Sequence, residues 1–257
     1  MTQRIGLNMY SLRDFGTTAS DLTETFKRLV DIGYRYVQIS GLSKVTPAEI
    51  TDALTRTGLK ACATHIGWDQ FMENTDAVIN LHKQYGTNHS AIGSLPPEYR
   101  SSEGASRFIA EAENVIPQLT AAGLDFSYHN HNHEYVRFGD TTWIDMIHDA
   151  GAPLGLKFEI DTYWVVAGGA DPAEYITRFS EAMSIVHVKD MVVTEEREQR
   201  FAPVGSGNLN WPRVFGAIRS APIEYVIVEQ DNHYTDDAFE NVAASFRFLA
   251  DNGFSPE

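Results

Sequence analysis

With 257 residues, 43% of them hydrophobic, the chain is long enough for one (β/α)8 barrel or for two small domains. Its 35 acidic side chains against 20 basic ones, a formal charge of −15 at pH 7, repel phosphate backbones and anionic lipid, so neither nucleic acid nor a membrane surface is expected as a partner. Cys62 is the only cysteine, which rules out an internal disulfide and suits a reducing cytoplasm; Met1–Tyr10 reads as a strand rather than a signal peptide, and no apolar run approaches a membrane span.

The series opens with a strand at Ile5–Ser11, apolar until its last residues. A helix follows in which Leu22, Phe26, Leu29 and Val30 share one face, stopped by Gly33. After a strand at Tyr36–Ser40 comes a capping box, Thr46-Pro47-Ala48-Glu49, whose helix stops at Gly58. Strands are expected next at Lys60–Gly67, Ser90–Ser94, Asp125–His131 and Gly155–Asp161. Asp171-Pro172-Ala173-Glu174 repeats the capping pattern ahead of Tyr175, Ile176 and Phe179. Strands at Ile185–Asp190 and Tyr225–Asp231 precede a last helix, with Phe239, Val242, Phe246 and Leu249 on one face before Gly253.

These make eight βα units without a linker or a break in composition. Near-continuous apolar strands belong in a parallel sheet covered on both faces. An open sheet of this kind usually carries a Gly-rich dinucleotide turn after its first strand, whereas this chain has Tyr10-Ser11-Leu12-Arg13. The expected fold is therefore α/β, a single-domain (β/α)8 TIM barrel over residues 1–257.

Barrels carry their chemistry at the C-terminal strand ends. The fifth strand ends in Tyr128-His129-Asn130-His131-Asn132-His133-Glu134, the sixth in Glu159-Ile160-Asp161, the seventh in His187-Val188-Lys189-Asp190 and the eighth in Glu229-Gln230-Asp231. One His, one Asp, one His and one Glu on four successive strands form a mixed nitrogen–oxygen set suited to a divalent cation such as Mn, Co or Zn. Each residue has a plainer alternative: a solvated loop for His129–His133, a core histidine for His187, a helix N-cap for Asp161, an ion pair with Lys189 for Glu229. Four such accidents on four successive strands are harder to accept than one shared cation. Glu159, two residues before Asp161, faces the same side but deeper, with Lys157 or Lys189 as candidate counter-charges.

From the first strand to the last, the chain resembles the xylose-isomerase-like barrel superfamily, often labelled sugar phosphate isomerases/epimerases. The likeness is carried by the strand-end motifs above together with Gly168-Gly169-Ala170-Asp171-Pro172 and Val204-Gly205-Ser206-Gly207-Asn208-Leu209-Asn210-Trp211. It implies metal ligands at Asp161, His187 and Glu229. On the fifth strand the epimerases and apurinic endonucleases of the superfamily often have a Glu; here His129 is the choice, with His131 or Glu159 as substitutes. Trp164 and Gln38 are further departures, where a His and an acidic residue are common.

The resemblance implies a divalent metal, manganese first and cobalt, zinc or magnesium as alternatives. The activity expected is sugar isomerisation or epimerisation through an enediolate on a small keto- or aldo-sugar. His131, Glu159 and Glu229 are the candidate acids and bases, and Lys189 would stabilise oxyanion charge. Asn8, Tyr10 and His65 would line a polar rim, with Trp68 and Trp164 as aromatic faces. A lyase or dehydratase acting on a keto-sugar, 3-keto-glycoside or inosose is the alternative, favoured by the histidine-rich fifth strand. An apurinic-site endonuclease would need further ligands and a basic rim, and a sugar-binding barrel without metal would leave the four ligands as relics. The Gly205-Ser206-Gly207 turn is not taken as a phosphate site, and a homo-oligomer is left open.

Overall fold

The computed structural model describes residues 3–257; Met1 and Thr2, part of the stretch weighed above as a signal peptide, lie outside them. Eight parallel strands close into a barrel: β1 (Arg4–Asn8), β2 (Tyr36–Ile39), β3 (Lys60–His65), β4 (His89–Ile92), β5 (Asp125–His129), β6 (Leu156–Asp161), β7 (Ile185–Val188) and β8 (Tyr225–Val228), with β8 pairing back to β1. Around it lie α1 (Ala19–Ile32), α2 (Pro47–Thr57), α3 (Trp68–Glu73), α4 (Thr75–Tyr85), α5 (Ser102–Ala121), α6 (Trp143–Gly151), α7 (Thr162–Ala167), α8 (Pro172–Phe179), α9 (Trp211–Ser220) and α10 (Ala238–Asp251).

The start and stop signals act where the sequence put them. Thr46 and Glu49 close a reciprocal capping box on α2, and Gly58 ends it in the left-handed region at φ +78°. Asp171 caps α8 by accepting from the Ala173 N–H. The main apolar core lies between barrel and helices, while a small cluster of Cys62, Ala63, Ile185 and Ile227 fills the barrel interior. A register shift between β2 and β3 at Val37/Gln38 lets both Cys62 and Ala63 join that cluster. Thr64 then turns outward to His82, and His65 turns back into the barrel.

Several strands end earlier than expected, because side chains at their ends capture the next backbone N–H groups. β1 stops at Asn8 rather than Ser11: Asn8 Oδ1 accepts from Tyr10 N, and Met9–Phe15 winds into 3-10 turns. β5 stops at His129 rather than His131, since Glu134 accepts from His131 N and curls the segment inward. After β7 the chain leaves the barrel in an antiparallel hairpin, Asp190–Val193 with Gln199–Ala202, that the sequence did not reveal.

Candidate metal centre and its cavity

The four expected ligands converge. One donor atom from each of His129, Asp161, His187 and Glu229 lies within 4.8 Å of the others, and all four residues are buried. Each side chain is aimed by a neighbour. His129 donates through Nδ1 to the Gly93 carbonyl (3.2 Å), which turns Nε2 to the cluster. Asp161 Oδ1 caps α7 by accepting from Trp164 N (3.1 Å), so the cap expected as a rival role takes only one oxygen and leaves Oδ2 facing the cluster. Asn130 Oδ1 accepts from Asp161 N, and Thr162 bridges to both backbone groups of Lys189, locking the ends of β5, β6 and β7 together.

The cluster passes a test for a cation. His129 Nε2 lies 3.4 Å from Asp161 Oδ2 and 3.6 Å from Glu229 Oε2. Yet both His129 Nε2 and Asp161 Oδ2 are buried with no hydrogen-bonding partner, a costly state that a shared dication relieves.

Glu159 sits behind this set, fully buried on the far side of His187. Its Oε1 contacts His187 Nε2, accepts from Gln38 Nε2 at 2.7 Å and lies 3.4 Å from His65 Nε2. His187 Nε2 also reaches Gln38 Oε1 at 2.7 Å, so its other nitrogen, Nδ1, is the one turned to Glu229 at 2.6 Å. Of the counter-charges expected for Glu159, Lys157 is engaged elsewhere: it lies lower in the barrel, on Asp125 (3.1 Å) and Ser184 (2.9 Å). Lys189 is engaged too, its ammonium 2.7 Å from Asp231, 3.5 Å from Asp161 and 3.8 Å from Glu229.

The charges reinforce one another. Burial disfavours the His187 cation, but Glu159 and then Glu229 outweigh it and push that imidazole up to about 9. His129 rises in the same way, burial being outweighed by Asp161 and Glu229. Burial also opposes ionisation of Glu159 and Glu229, yet both are held well below the carboxylate range, the first by His187 and His65, the second by Lys189 and His187. His131 is pushed down to about 2 by burial and by the nearby His129 and Lys189 charges, so it stands neutral. Burial and the Glu229 charge push Asp231 up to about 6 against the pull of Lys189.

A cavity of about 390 Å³ opens over the cluster, with Tyr10, Ser40, His65, His131, Glu229 and Asp231 in its walls. Tyr10 and His65 thus stand where they were expected. Asn8 is buried, with one side-chain oxygen used on Tyr10 N and its Nδ2 without a partner. Trp164 packs 5.1 Å from the His131 ring, with Lys189 Nζ 5.0 Å from its own ring. Trp68 does not join them: it is buried outside the barrel against Phe108 and Phe126, its Nε1 donating to Glu111. Asp231 was missed as a site residue, although its spacing of two from Glu229 put it on the same face. The Gly205 turn serves the fold, because Asp190 Oδ2 accepts from Gly205 N, Gly207 N and Trp211 Nε1, which occupies the N–H groups a phosphate would need.

The sequence matches the family described as Xylose isomerase-like TIM barrel over residues 26–252. No curated protein matches it. A sugar phosphate isomerase/epimerase from Parabacteroides distasonis superposes with a TM-score of 0.80 at 20% identity, covering 99% of this chain and 96% of that one. An L-ribulose 3-epimerase reaches 0.73 at 17% identity over 96% and 93% of the two chains. A probable 3-DHS dehydratase involved in petrobactin synthesis from Bacillus anthracis reaches 0.71 at 14%, over 96% and 99%. At identities this low the likeness to these solved structures shows the fold alone.

Proposed function

The chain belongs to the xylose isomerase-like TIM-barrel family, and on that premise we propose that it is a divalent-metal-dependent isomerase or epimerase of a small keto- or aldo-sugar. The observation that carries the proposal is the buried four-residue cluster with two orphaned donor atoms beneath an open cavity. His129, Asp161, His187 and Glu229 would hold the cation, and the two-nitrogen, two-carboxylate set favours manganese, with cobalt, zinc or magnesium as alternatives. When bound, such an ion supplies Lewis-acid stabilisation of charge developing on a carbonyl oxygen.

The chain's own groups move the proton. Asp231, in the cavity wall two residues after Glu229 and held against the Lys189 ammonium, is the carboxylate placed to take a proton from the carbon next to the carbonyl. The Lys189 ammonium, 2.7 Å away, stabilises the carboxylate and any oxyanion formed beside it. His131, neutral in the cavity wall, suits donation to or acceptance from a substrate hydroxyl better than the role of base expected from sequence. Glu159 acts through His187 rather than on the substrate.

Elimination is the second reading, and one observation favours it: β5 supplies His129 where an acid–base carboxylate would serve a two-base epimerisation. Metal analysis of the wild type, His187→Ala and Glu229→Ala decides the first point; unchanged metal content in both variants would sink the site. Proton–deuterium exchange with ketohexoses, inososes and 3-keto-glycosides decides the second, since isomerised product supports the first reading and loss of water or aglycone the second.

A further inference from the structure

The segment that follows β5 carries a set of donor atoms that the ligand cluster does not use. One donor atom from each of His131, His133 and Glu134 lies within 4.8 Å of the other two, and the set shares no residue with His129, Asp161, His187 and Glu229. In a fully extended chain His131 and His133 would point one way and Glu134 the other. Here β5 ends at His129 and His133–Tyr135 winds into one 3-10 turn, which brings the Glu134 carboxylate round to the two imidazoles.

Glu134 anchors the set. Its side chain is fully buried and fixed at both oxygens: Tyr128 Oη donates to Oε1 at 2.8 Å, and the His131 N–H donates to Oε2 at 2.8 Å. No Lys or Arg pairs with it among the described residues; its ion-pairing neighbour is His133, whose Nε2 lies 3.1 Å from Oε1. A carboxylate is costly to bury without a counter-charge. His131 adds a second unmet need, since its Nδ1 is buried with no hydrogen-bonding partner. Two imidazoles and one carboxylate are a recurring ligand set for zinc, with solvent in the fourth position. Two donors on a tetrahedral zinc stand about 3.3 Å apart, given bonds of about 2.0 Å, and His133 Nε2 and Glu134 Oε1 are already close to that spacing. The His133 side chain is 23% exposed, so solvent reaches the set from that side.

We propose that His131, His133 and Glu134 form a second divalent-cation site, suited to Zn2+ and separate from the ligand cluster at the ends of β5 to β8. Tyr128 is the outer partner that orients the Glu134 carboxylate. Mg2+ and Ca2+ suit the site poorly, because both prefer shells of oxygen. The ion would close the segment after β5 on itself and fix the His131 ring. That ring stands in the cavity wall, 5.2 Å from the His129 ring and 5.1 Å from the Trp164 ring, so the site would set the placing of one wall of the cavity.

The test counts Zn2+ on the full, tag-free chain by atomic emission, after dialysis against Zn2+ buffered with a chelator so that weak surface sites stay empty. The wild type should hold about two Zn2+ per chain, and His133→Ala and His187→Ala about one each. Should His133→Ala not fold by circular dichroism, Glu134→Gln is the second variant: it keeps the volume and an acceptor for Tyr128 but removes the charge, and should lose the same ion. Zn2+ content equal to wild type in a folded His133→Ala or Glu134→Gln chain would overturn the proposal. A wild type with about one Zn2+ that is lost in His187→Ala and kept in His133→Ala would overturn it too, leaving the ligand cluster standing. About one Zn2+ lost in His133→Ala and kept in His187→Ala would uphold the second site and fail the ligand cluster. A wild type that holds no Zn2+ would overturn both.

Discussion

Glu159→Gln isolates what a buried carboxylate does for a ligand it does not replace. The substitution keeps the volume and can keep the Gln38 and His187 contacts as neutral hydrogen bonds, but removes the negative charge behind His187. With the charge in place, His187 donates from Nε2 and would offer a cation a strongly basic Nδ1; without it, basicity and tautomer are both less well fixed. Outer-shell partners of this kind are worth roughly 10–100-fold in metal affinity, about 1.4–2.7 kcal/mol. Competitive titration of Mn2+ against a fluorescent chelator measures the loss directly, and a melting curve of the metal-free variant checks that the barrel survives. An affinity equal to wild type would refute the positioning role, and complete loss of metal would make Glu159 a ligand instead.

Asp190→Asn places an amide nitrogen among the donors that now converge on the carboxylate: Met191 N, Gly205 N, Gly207 N, Leu209 N and Trp211 Nε1. The expected loss is roughly 2–4 kcal/mol in chemical denaturation, and a loss below about 0.5 kcal/mol would show that the loop repacks freely. Burial pushes the Glu134 carboxyl up to about 7 from its usual 4.5, against the Tyr128 and backbone donors that favour ionisation. Between those two pH values the folded chain binds the proton that the unfolded chain has released, so stability falls as pH rises through them. Glu134→Gln should flatten that part of the pH–stability curve of the metal-free protein, and an unaltered slope would count against the assignment. Trp68→Phe should cost about 1–2 kcal/mol through the lost Glu111 hydrogen bond, with metal content unchanged; a loss of metal would return Trp68 to the site.

The barrel and the convergence of its four candidate ligands were legible because they rest on local signals. Apolar runs that turn polar at one end identify parallel strands and their C-terminal rim together, so His129, Asp161, His187 and Glu229 could be picked out before any contact was known. Spacing of two also set Glu159 one layer deeper, correctly, but spacing says nothing about what lies across the barrel. Its partners, Gln38, His65 and His187, arrive from β2, β3 and β7, so the lysines chosen as counter-charges were wrong. At β1 and β5 the strand ends were overextended because a side chain, Asn8 or Glu134, captured a following N–H. The hairpin after β7 was hidden for a related reason: Asp190 is held by donors 15 to 21 residues onward. Trp68 misled because an aromatic just past a strand end can face either the cavity or the helix layer.

The ligand cluster makes a last demand on any cation it takes. In the metal-free protein burial works against the charged imidazoles, but the neighbouring carboxylates hold His187 up to about 9 and His129 well above its usual range. Both rings are therefore protonated near neutral pH, and two protons stand in for the dication between Asp161 and Glu229. Each ring has to shed a proton before it can offer a lone pair, so loading should release about two protons at pH 7. Affinity should accordingly climb with pH until His187 titrates near 9. Stability runs the opposite way without metal: the His187 contribution is complete below about 6.5, its usual value, and is lost as pH rises through about 9. Calorimetric titration in buffers of different ionisation heat counts the protons. An affinity flat between about pH 6 and 8, with no proton released, would mean that these imidazoles are not the groups that receive the cation.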